Sequence, residues 1–393
     1  MYFKYSFNKF KIHMLNVLNY LLLFLLLIIR PFKKIKIFEL ETRAIGHYSL
    51  SIEIFLNEIK QGIHDKNEIY LAIPNKKIVN QFLFKKWQTF FLIIPSKFYF
   101  FLNFLRKFKY GHLFLAPYRD PQNTSRPWQY IDIHNVLKSS TPMINFSNEE
   151  IKKGNEMLKD FGIIDDNYIC FINRGSEYRG DIDSCLNTTV NNQIKGIKEL
   201  TKYGLKAIRM GVDGQQALEQ HPDIIDYANS KYKSDFNDIF LTFNCKFMIS
   251  SGTGIDRIPI LNRKKTLLIN YFSDGMHDIH SEYSPILIPK KIKCLKTGLL
   301  LTYKDIFELG LFKILTKSKL KEAGYLLIDI TEDEACSAIM EMYNFVVNNK
   351  KIDFSKKINE LFWSNYKKYN QQRPVPGDII ISPSFISKNP ELF

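Results

Sequence analysis

Residues 245–259 read CKFMISSGTGIDRIP, and this stretch decides the fold class. Its apolar first half predicts a buried strand, and the small residues of SSGTG (250–254) predict a tight loop. Pro259 is compatible with a helix only in the first turn, where its missing N–H would have had no acceptor, so we place the helix start directly after Gly254. A strand, a glycine-containing loop and a helix in this order are typical of a doubly wound parallel sheet.

The same alternation of strands and helices extends outward from this stretch. In the C-terminal half the predicted elements are YICFIN (168–173), QIKGIKELTKYG (193–204), LKAIRMG (205–211), FNDIFLTFN (236–244), CKFMIS (245–250), TLLINY (266–271) and YLLIDI (325–330). In the N-terminal half they are IKIFEL (35–40), a helix within 41–60, EIYLAIPN (68–75) and a helix at 77–87. Each half therefore predicts a parallel sheet with crossover helices.

The length of the chain predicts two domains. A chain of 393 residues with 45% hydrophobic content exceeds the ~250 to 300 residues at which a single core stops growing. A loop-rich stretch at 117–142 separates the halves, and a capping box with Ser147 as N-cap and Glu150 opens the next helix. We predict a membrane-associating segment (1–30), two α/β domains (31–145 and 146–345), and C-terminal helices that cross back to the N-terminal domain (346–393).

The net charge of +15 indicates an anionic partner, which could be a phosphorylated substrate, lipid headgroups or nucleic acid. Near the N-terminus the cations lie beside aromatic and aliphatic runs, which favours a membrane interface over a nucleic-acid duplex. The five cysteines are widely spaced and form no CxxC pair, so neither a disulfide framework nor a zinc site is indicated.

The segment 14–29 (MLNVLNYLLLFLLLII) is nearly all apolar and has basic residues on both sides. It is shorter than the ~20 apolar residues that a spanning helix needs, and Asn16 and Asn19 interrupt it. Three arrangements stay open: a helix lying on or partly in the membrane, a single membrane anchor, and a buried core helix.

Candidate ligand-binding residues follow three predicted strands of the C-terminal half. Arg174 follows YICFIN, Arg209 and Gly211 end LKAIRMG, and residues 250–254 follow CKFM. Because ligands bind beyond the carboxyl ends of parallel strands, we expect these residues to form one anion site. The loop glycines would let backbone N–H groups approach a phosphate, the loop hydroxyls would donate, and the helix N-terminus would add its dipole. Taken singly, the loop could be a plain turn and each arginine could form a salt bridge.

At these residues the sequence resembles a family of bacterial glycosyltransferases found with surface-polysaccharide genes. Two departures from the family are Gly175, where the family usually has Asp, and a shortened loop at 176–183. The likeness covers most of the chain beyond Arg30. The shared motifs are Arg174, Arg209-Met210-Gly211, Ser234-Asp235-Phe236, Cys245-Lys246-Phe247, Thr253-Gly254 with Asp256 and Pro259, Asn270-Tyr271, Ile45-Gly46-His47 in the N-terminal half, and Phe362-Trp363 in the tail.

The resemblance implies a GT-B architecture, in which two Rossmann-like doubly wound domains face a cleft, here with an N-terminal hydrophobic membrane-associating helix. It implies transfer of a sugar from a nucleotide-diphosphate donor, bound by the C-terminal domain, to a glycan or lipid-linked acceptor, bound by the N-terminal domain. We expect no cofactor besides the donor, no nucleic-acid partner, and a place at the cytoplasmic face of the bacterial inner membrane, peripheral or through a single anchor. The expected donor-binding residues are Arg174, Arg209, Gly211, Ser250, Ser251, Gly252, Thr253, Gly254 and Asp256.

Such a transferase needs a base that removes the proton of the acceptor hydroxyl, and the N-terminal domain should supply it. His47 is the first candidate and Glu53 the second, although a single histidine can equally be structural. Asp181 and Asp183 have the Asp-x-Asp spacing that holds Mg²⁺ or Mn²⁺ in metal-dependent transferases. Because the arginines and the helix terminus already supply positive charge, we predict no metal.

Two other functions stay open. A nucleotide-sugar epimerase of the same fold would need acidic groups around the donor sugar. A basic membrane- or nucleic-acid-binding protein would bind polynucleotide in a salt-dependent manner, without affinity for nucleoside diphosphates.

Overall fold

The computed structural model describes residues 2–117, 132–176, 180–212, 215–272, 282–369 and 379–393, with the side chains of 2–9 and 12 left out. The chain divides into two compact units, Met1–Met143 and Ile144–Phe393. This division falls close to the predicted boundary after residue 145. Both units combine helices with parallel sheet, which confirms the predicted α/β class.

The first unit is built on a small parallel sheet. Its strands are β1 (Lys34–Leu40), β2 (Glu68–Pro74) and β3 (Leu92–Ile93), and its helices are α1 (Tyr2–Ile29), α2 (Ile45–Gln61), α3 (Gln81–Trp87) and α4 (Tyr99–Lys107). The sheet order is β1-β2-β3, and Ile37 of β1 also forms a parallel bridge with Leu115. The predicted strand, helix, strand and helix from residue 35 to 87 are therefore confirmed.

Helix α1 buries only part of its surface. Asn19 and Leu23 are buried; Leu23 packs against Phe101, and the rings of Tyr20 and Phe104 meet edge to face at 5.3 Å. No helix among the described residues is long and apolar enough to cross a membrane. Large apolar side chains of α1 that stay exposed include Phe10, Met14, Val17, Leu18, Leu21, Phe24, Leu25 and Ile28.

The second unit is built on a larger parallel sheet. Its strands are β4 (Tyr168–Ile172), β5 (Lys206–Arg209), β6 (Ile224–Ile225), β7 (Phe247–Ser250), β8 (Lys265–Tyr271), β9 (Ile286–Pro289), β10 (Lys291–Cys294), β11 (Tyr325–Ile328) and β12 (Ile380–Ile381). Its helices are α5 (Asn148–Asp160), α6 (Asn191–Thr201), α7 (Asp235–Asn244), α8 (Ile258–Leu261), α9 (Tyr303–Glu308), α10 (Lys317–Glu322), α11 (Glu332–Val346), α12 (Lys356–Tyr369) and α13 (Pro383–Lys388).

The main sheet of this unit runs in the order β12-β9-β8-β7-β4-β5-β6, with parallel pairing throughout. β4, β7 and β9 are buried along their whole length. Continuous apolar runs of this kind are expected where helices cover both faces of a parallel sheet.

The predicted capping box of the second unit is confirmed, and two further helix ends have caps. The Ser147 side chain accepts the Glu150 N–H, and the Glu150 carboxylate accepts the Ser147 N–H, which completes the capping box of α5. Gly162 follows the end of this helix in a left-handed conformation with φ of 66°. Ser234 caps α7 by accepting the Asn237 N–H.

The prediction that YLLIDI joins the doubly wound sheet is wrong. Its strand, β11, pairs antiparallel with β10 in a separate two-stranded sheet. The residues of β11 are mostly half-buried, whereas ILIP of β9 is fully buried and takes the place beside β8. The apolar run that is shielded on both faces is therefore the one that enters the main sheet.

Residues 346–393, which we predict to form helices that cross back to the N-terminal domain, make extensive contacts within the second unit. The structure assigns them to the second unit, where β12 pairs with β9. Phe362 of α12 packs edge to face on Tyr303 at 5.3 Å, and the Trp363 indole N–H donates to the Ile379 carbonyl at 2.8 Å. The buried Phe-Trp pair thus serves the core of this unit.

Candidate functional site

The main sheet reverses its strand order at β4. From β4 the chain builds β5 and β6 on one side, and β7, β8 and β9 on the other. Ligands of open α/β sheets bind beyond the carboxyl ends of the strands at such a topological switch point. The residues that flank this point are Arg174, which follows β4, and the loop 250–254, which follows β7.

Arg174 and the loop after β7 are joined by a hydrogen bond. The backbone N–H of Arg174 donates to Ser251 Oγ at 2.9 Å, and Ser251 is 2% exposed. On its other side the Arg174 carbonyl accepts the Thr188 N–H at 2.9 Å. The structure therefore brings together two of the predicted site elements and fixes the Arg174 backbone between them.

Side chains of the loop after β7 satisfy part of its own backbone. Ser250 Oγ accepts the N–H groups of Gly252 and Thr253 at 3.1 and 3.3 Å and donates to Asp256 Oδ2 at 2.8 Å. Asp256 Oδ2 also accepts the Thr253 N–H at 2.8 Å, which completes a capping box. Ser250 and Asp256 are buried, so both side chains act as the internal support of the loop.

The loop uses some of its backbone donors internally. The N–H groups of Gly252 and Thr253 are bonded within the loop. A 3-10 turn (Gly254–Arg257) begins at Gly254 and continues into α8, with Pro259 in its first turn as predicted. The N–H groups of Gly254 and Ile255 lack an intrahelical acceptor by position, and Gly254 is exposed.

Gly252 is required for two reasons. Its φ of 85° lies in the left-handed region, which disfavours residues with a Cβ. A Cβ at this position would also lie 2.8 Å from Cε2 of Tyr271, at the end of β8. The glycine thus lets the loop pack against the Tyr271 ring.

Asp256 is a buried carboxylate under the exposed start of the 3-10 turn. Its burial raises its pKa above the usual value, while the charge of Arg257 and the hydrogen bonds from Ser250 and Thr253 oppose that rise. Its side chain therefore lies in an environment that costs free energy when the carboxylate is ionised.

Arg209 and Gly211, also expected at the donor site, contact other residues of the fold. Arg209 is 2% exposed, and its guanidinium donates to the Gln216 carbonyl at 2.7 Å and to Asp226 Oδ1 at 3.1 Å. A Cβ on Gly211 would lie 2.0 Å from Oε1 of Gln215, so this glycine makes room for a neighbouring side chain. Both residues stabilise the loops after β5 and β6. The ion pair of Arg209 with Asp226 is the salt bridge that was the alternative interpretation of this arginine.

In the first unit, His47 lies in the first turn of α2 and is half-buried. It lies near Glu41, whose carboxylate accepts two hydrogen bonds of 3.0 Å from the Arg43 guanidinium. Burial raises the pKa of Glu41, but the hydrogen bonds and charge of Arg43, with a contribution from His47, bring the net pKa below its usual value. A carboxylate near an imidazole favours the protonated form of the ring, as uptake of a proton by a base requires.

Glu53 has a different environment from His47. It is fully buried in α2, and its carboxylate accepts the Met143 N–H at 3.1 Å and the Asn57 side-chain amide at 3.0 Å. A base must reach its substrate within hydrogen-bond distance. The contacts of Glu53 instead hold the backbone at Met143, which favours a structural role for this residue.

The Asp-x-Asp motif after β4 is bonded to α10. Asp183 accepts hydrogen bonds from the Ser318 hydroxyl and, at 2.9 Å, from the Ser318 N–H, and these two bonds lower the pKa of Asp183. Within the described ranges, no group of three or more His, Cys, Asp or Glu side chains is placed to hold a metal ion.

A polar cluster near the same edge of the sheet was not predicted. It contains Lys290 after β9, Asp329 after β11, Asn270 in β8 and Thr188. The signals in the sequence were a lysine directly after the apolar run ILIP and an aspartate directly after YLLI. Neither has a motif spacing, so only the strand pairing identifies them as neighbours.

The sequence matches no protein-family model and no curated protein. Among solved structures it is similar to a glycosyl transferase family 9 protein from Veillonella parvula DSM 2008, with 12% identity and a TM-score of 0.48, over 81% of this chain and 98% of that chain. It is also similar to E. coli ADP-heptose LPS heptosyltransferase II, with 11% identity and a TM-score of 0.41, over 65% and 90% of the two chains.

Proposed function

We propose that this protein is a glycosyltransferase that binds the diphosphate of a nucleotide-sugar donor at the carboxyl ends of β4 and β7. The observation that carries the proposal is the 2.9 Å hydrogen bond from the Arg174 N–H to Ser251 Oγ across the switch point. It fixes a permanently charged residue beside the loop whose helical turn starts at the exposed Gly254. A guanidinium and the N–H groups of a helical first turn are the groups that bind phosphate oxygens in proteins.

The proposal extends to the other parts of the reaction. The sugar passes to a glycan or lipid-linked acceptor held by the N-terminal unit, in the synthesis of a bacterial surface polysaccharide. His47 is the proposed base, supported by its half-exposed position near Glu41. Because Arg174 and the turn at Gly254 supply the positive charge for the leaving diphosphate, we propose that transfer needs no metal.

We further propose that the protein works at the cytoplasmic face of the inner membrane, held by α1 as a peripheral or single anchor. Support comes from the exposed apolar side chains of α1, such as Phe24 and Leu25, and from exposed Lys11 and Arg30, which flank the apolar segment 14–29. Apolar area bounded by cations is favoured at an anionic lipid surface.

Calorimetric titration of the full chain with guanosine, uridine, cytidine and adenosine diphosphates tests the donor site. We expect one diphosphate to bind, its monophosphate to bind more weakly, and chelator to leave the affinity unchanged. Binding of polynucleotide but of no nucleoside diphosphate would refute the transferase proposal. Conversion of a bound nucleotide sugar into its epimer without an acceptor would favour an epimerase instead.

Cosedimentation with lipid vesicles tests the membrane proposal. The full chain should bind vesicles that contain phosphatidylglycerol, and the F24S/L25S variant should bind them at least tenfold more weakly. The matched control is the I164S/L309S variant, which replaces exposed apolar residues of the second unit. Equal binding of both variants would exclude α1 as the anchor.

A further inference from the structure

The polar cluster at the carboxyl edge of the main sheet is a connected network. Lys290 Nζ lies 2.8 Å from Asp329 Oδ1, and Thr188 Oγ1 donates to Asp329 Oδ2 at 2.6 Å. Thr188 Oγ1 in turn accepts the Asn270 side-chain amide at 3.0 Å. One carboxylate is therefore held from two directions, with Asn270 and Lys290 buried beneath it.

This network adjoins the proposed diphosphate site. The Thr188 N–H donates to the Arg174 carbonyl at 2.9 Å, and the Asn173 side-chain amide donates to the Thr188 carbonyl at 2.8 Å. Thr188 therefore touches both Arg174 and Asp329. Since the sugar of a nucleotide sugar is bonded directly to the β-phosphate, a donor bound at Arg174 brings its sugar into the neighbourhood of this network.

Asp329 keeps acceptor capacity on its solvent side. Its side chain is 30% exposed, while that of its partner Lys290 is completely buried. An ionised carboxylate has about four lone-pair sites, and the contacts of Lys290 and Thr188 use one on each oxygen. The remaining sites can accept hydrogen bonds from a ligand.

Two buried amide oxygens border the same network. Lys290 Nζ also donates to the Asn187 carbonyl at 2.6 Å, and Asn187 precedes Thr188 in the chain. Within the described part of the chain, Oδ1 of Asn173 and Oδ1 of Asn187 are buried and have no hydrogen-bond partner. Buried acceptors of this kind call for a donor, such as a water or a ligand hydroxyl.

The neighbouring ion pair of Lys291 and Glu334 shows what a purely structural pair looks like here. Glu334 is buried, and its oxygens accept from Lys291 at 2.9 Å, from the Asn389 amide at 2.7 Å and from the Thr331 N–H at 2.7 Å. Protein groups thus surround Glu334, whereas the side chain of Asp329 is 30% exposed.

We propose that Asp329 accepts hydrogen bonds from the hydroxyl groups of the donor's sugar and so determines which sugar is bound. The proposal rests on the proposed function, because it needs the diphosphate at Arg174. Sugar hydroxyls are hydrogen-bond donors, and the remaining lone pairs of the Asp329 carboxylate can accept from more than one of them. Lys290 and Thr188 position the carboxylate, and they do not touch the sugar.

The experiment compares a nucleoside diphosphate with its sugar conjugates in the same protein. Full-length parent, D329N and R174A proteins are titrated with the diphosphate that binds the parent and with a panel of its hexose and deoxyhexose conjugates. In D329N we expect the affinity for the preferred conjugate to fall about tenfold and the affinity for the diphosphate to stay unchanged. R174A should lose affinity for both.

Controls separate sugar contact from folding. E334Q removes a charge from the neighbouring buried pair and should lower the melting temperature without changing the ratio of the two affinities. If D329N fails to fold, the K290M/D329N double variant removes the unpaired lysine and should show the same selective loss.

Two results would overturn the proposal while leaving the diphosphate site intact. One is an equal loss of affinity for the diphosphate and the conjugate in D329N. The other is a parent protein that binds no conjugate more tightly than the diphosphate. Unchanged diphosphate binding in R174A would instead refute the proposed function itself.

Discussion

Two arginines follow adjacent strands of one sheet, yet the structure gives them different surroundings. Arg174 follows β4 at the switch point and hydrogen-bonds through its backbone to the loop after β7. Arg209 ends β5, on the side of β4 away from β7, and its guanidinium is buried against Asp226 and the Gln216 carbonyl. From this difference in surroundings we expect Arg174 to bind a ligand and Arg209 to stabilise the fold.

The largest expected effect is on stability at the β5 end. Arg209→Met should lower the free energy of unfolding by about 3 kcal/mol, because it leaves Asp226 without its buried partner. Urea denaturation measures this change, and calorimetry on the folded variant should show unchanged nucleoside-diphosphate affinity. If Arg209→Met is as stable as the parent but no longer binds the nucleotide, Arg209 contributes to the ligand site.

A residue of the first unit sharpens the distinction between binding and turnover. His47→Ala should lower turnover by ~10² while leaving donor affinity unchanged, because a general base acts in the transition state. Turnover is measured as the release of nucleoside diphosphate from the nucleotide sugar in the presence of bacterial membrane extract, which supplies the acceptor.

Glu53→Gln is the matched comparison for His47. Its buried carboxylate holds the Met143 N–H, so the substitution should lower stability and leave turnover per folded molecule near that of the parent. A tenfold or larger fall in turnover with Glu53→Gln, and none with His47→Ala, would exchange their roles.

At the β4 end the expected effect is on binding. Arg174→Ala should weaken nucleoside-diphosphate binding by roughly ten- to a hundredfold, since a charge-assisted hydrogen bond contributes ~1.5 to 3 kcal/mol. Arg174→Lys should recover part of the affinity, because it keeps the charge but loses the planar fork. Calorimetric titration gives both values, and equal affinities in parent and alanine variant would move the site elsewhere.

Local patterns predicted much of the fold because they report short-range physics. The capping box at Ser147 and Glu150 and the constraint that Pro259 sets on its helix both act within one turn. The place of β11 could not be predicted in the same way, since an apolar run does not reveal whether one face or both will be covered. The assignment of residues 346–393 depends equally on long-range packing around Phe362 and Trp363.

The candidate site was predictable only as far as strand ends and glycines reveal it. Arg174 and the loop at 250–254 follow adjacent strands and meet as expected. That Ser250 and Asp256 accept hydrogen bonds from the loop N–H groups could not be predicted, because it depends on the positions of their side chains in the fold. Asp329 escaped prediction because its partners Lys290 and Thr188 lie far away in the sequence.

The smallest expected effect is a pH dependence of the free energy of unfolding. It arises from Asp256, which follows β7, and from Asp183, which follows β4. Burial raises the pKa of Asp256 above its ordinary 3.8, with Arg257 and hydrogen bonds opposing the shift. Between the unfolded and folded pKa values the folded state holds the proton more tightly, so the parent gains stability as pH falls through this window. Asp256→Asn removes the titrating group and with it this gain. The stability of the parent relative to the variant should therefore increase on acidification.

Asp183 provides a control of opposite sign for this measurement. The hydrogen bonds from Ser318 lower its pKa, so the stability it contributes is present above the unfolded pKa and is lost as pH falls through the folded pKa. The stability of the parent relative to Asp183→Asn should therefore decrease on acidification, as measured by urea denaturation from neutral to acidic pH. Curves with the same sign for both variants would show that the pKa of Asp256 is not raised in the folded protein. The charge of Arg257 and the hydrogen bonds from Ser250 and Thr253 would then outweigh the effect of burial on this carboxylate.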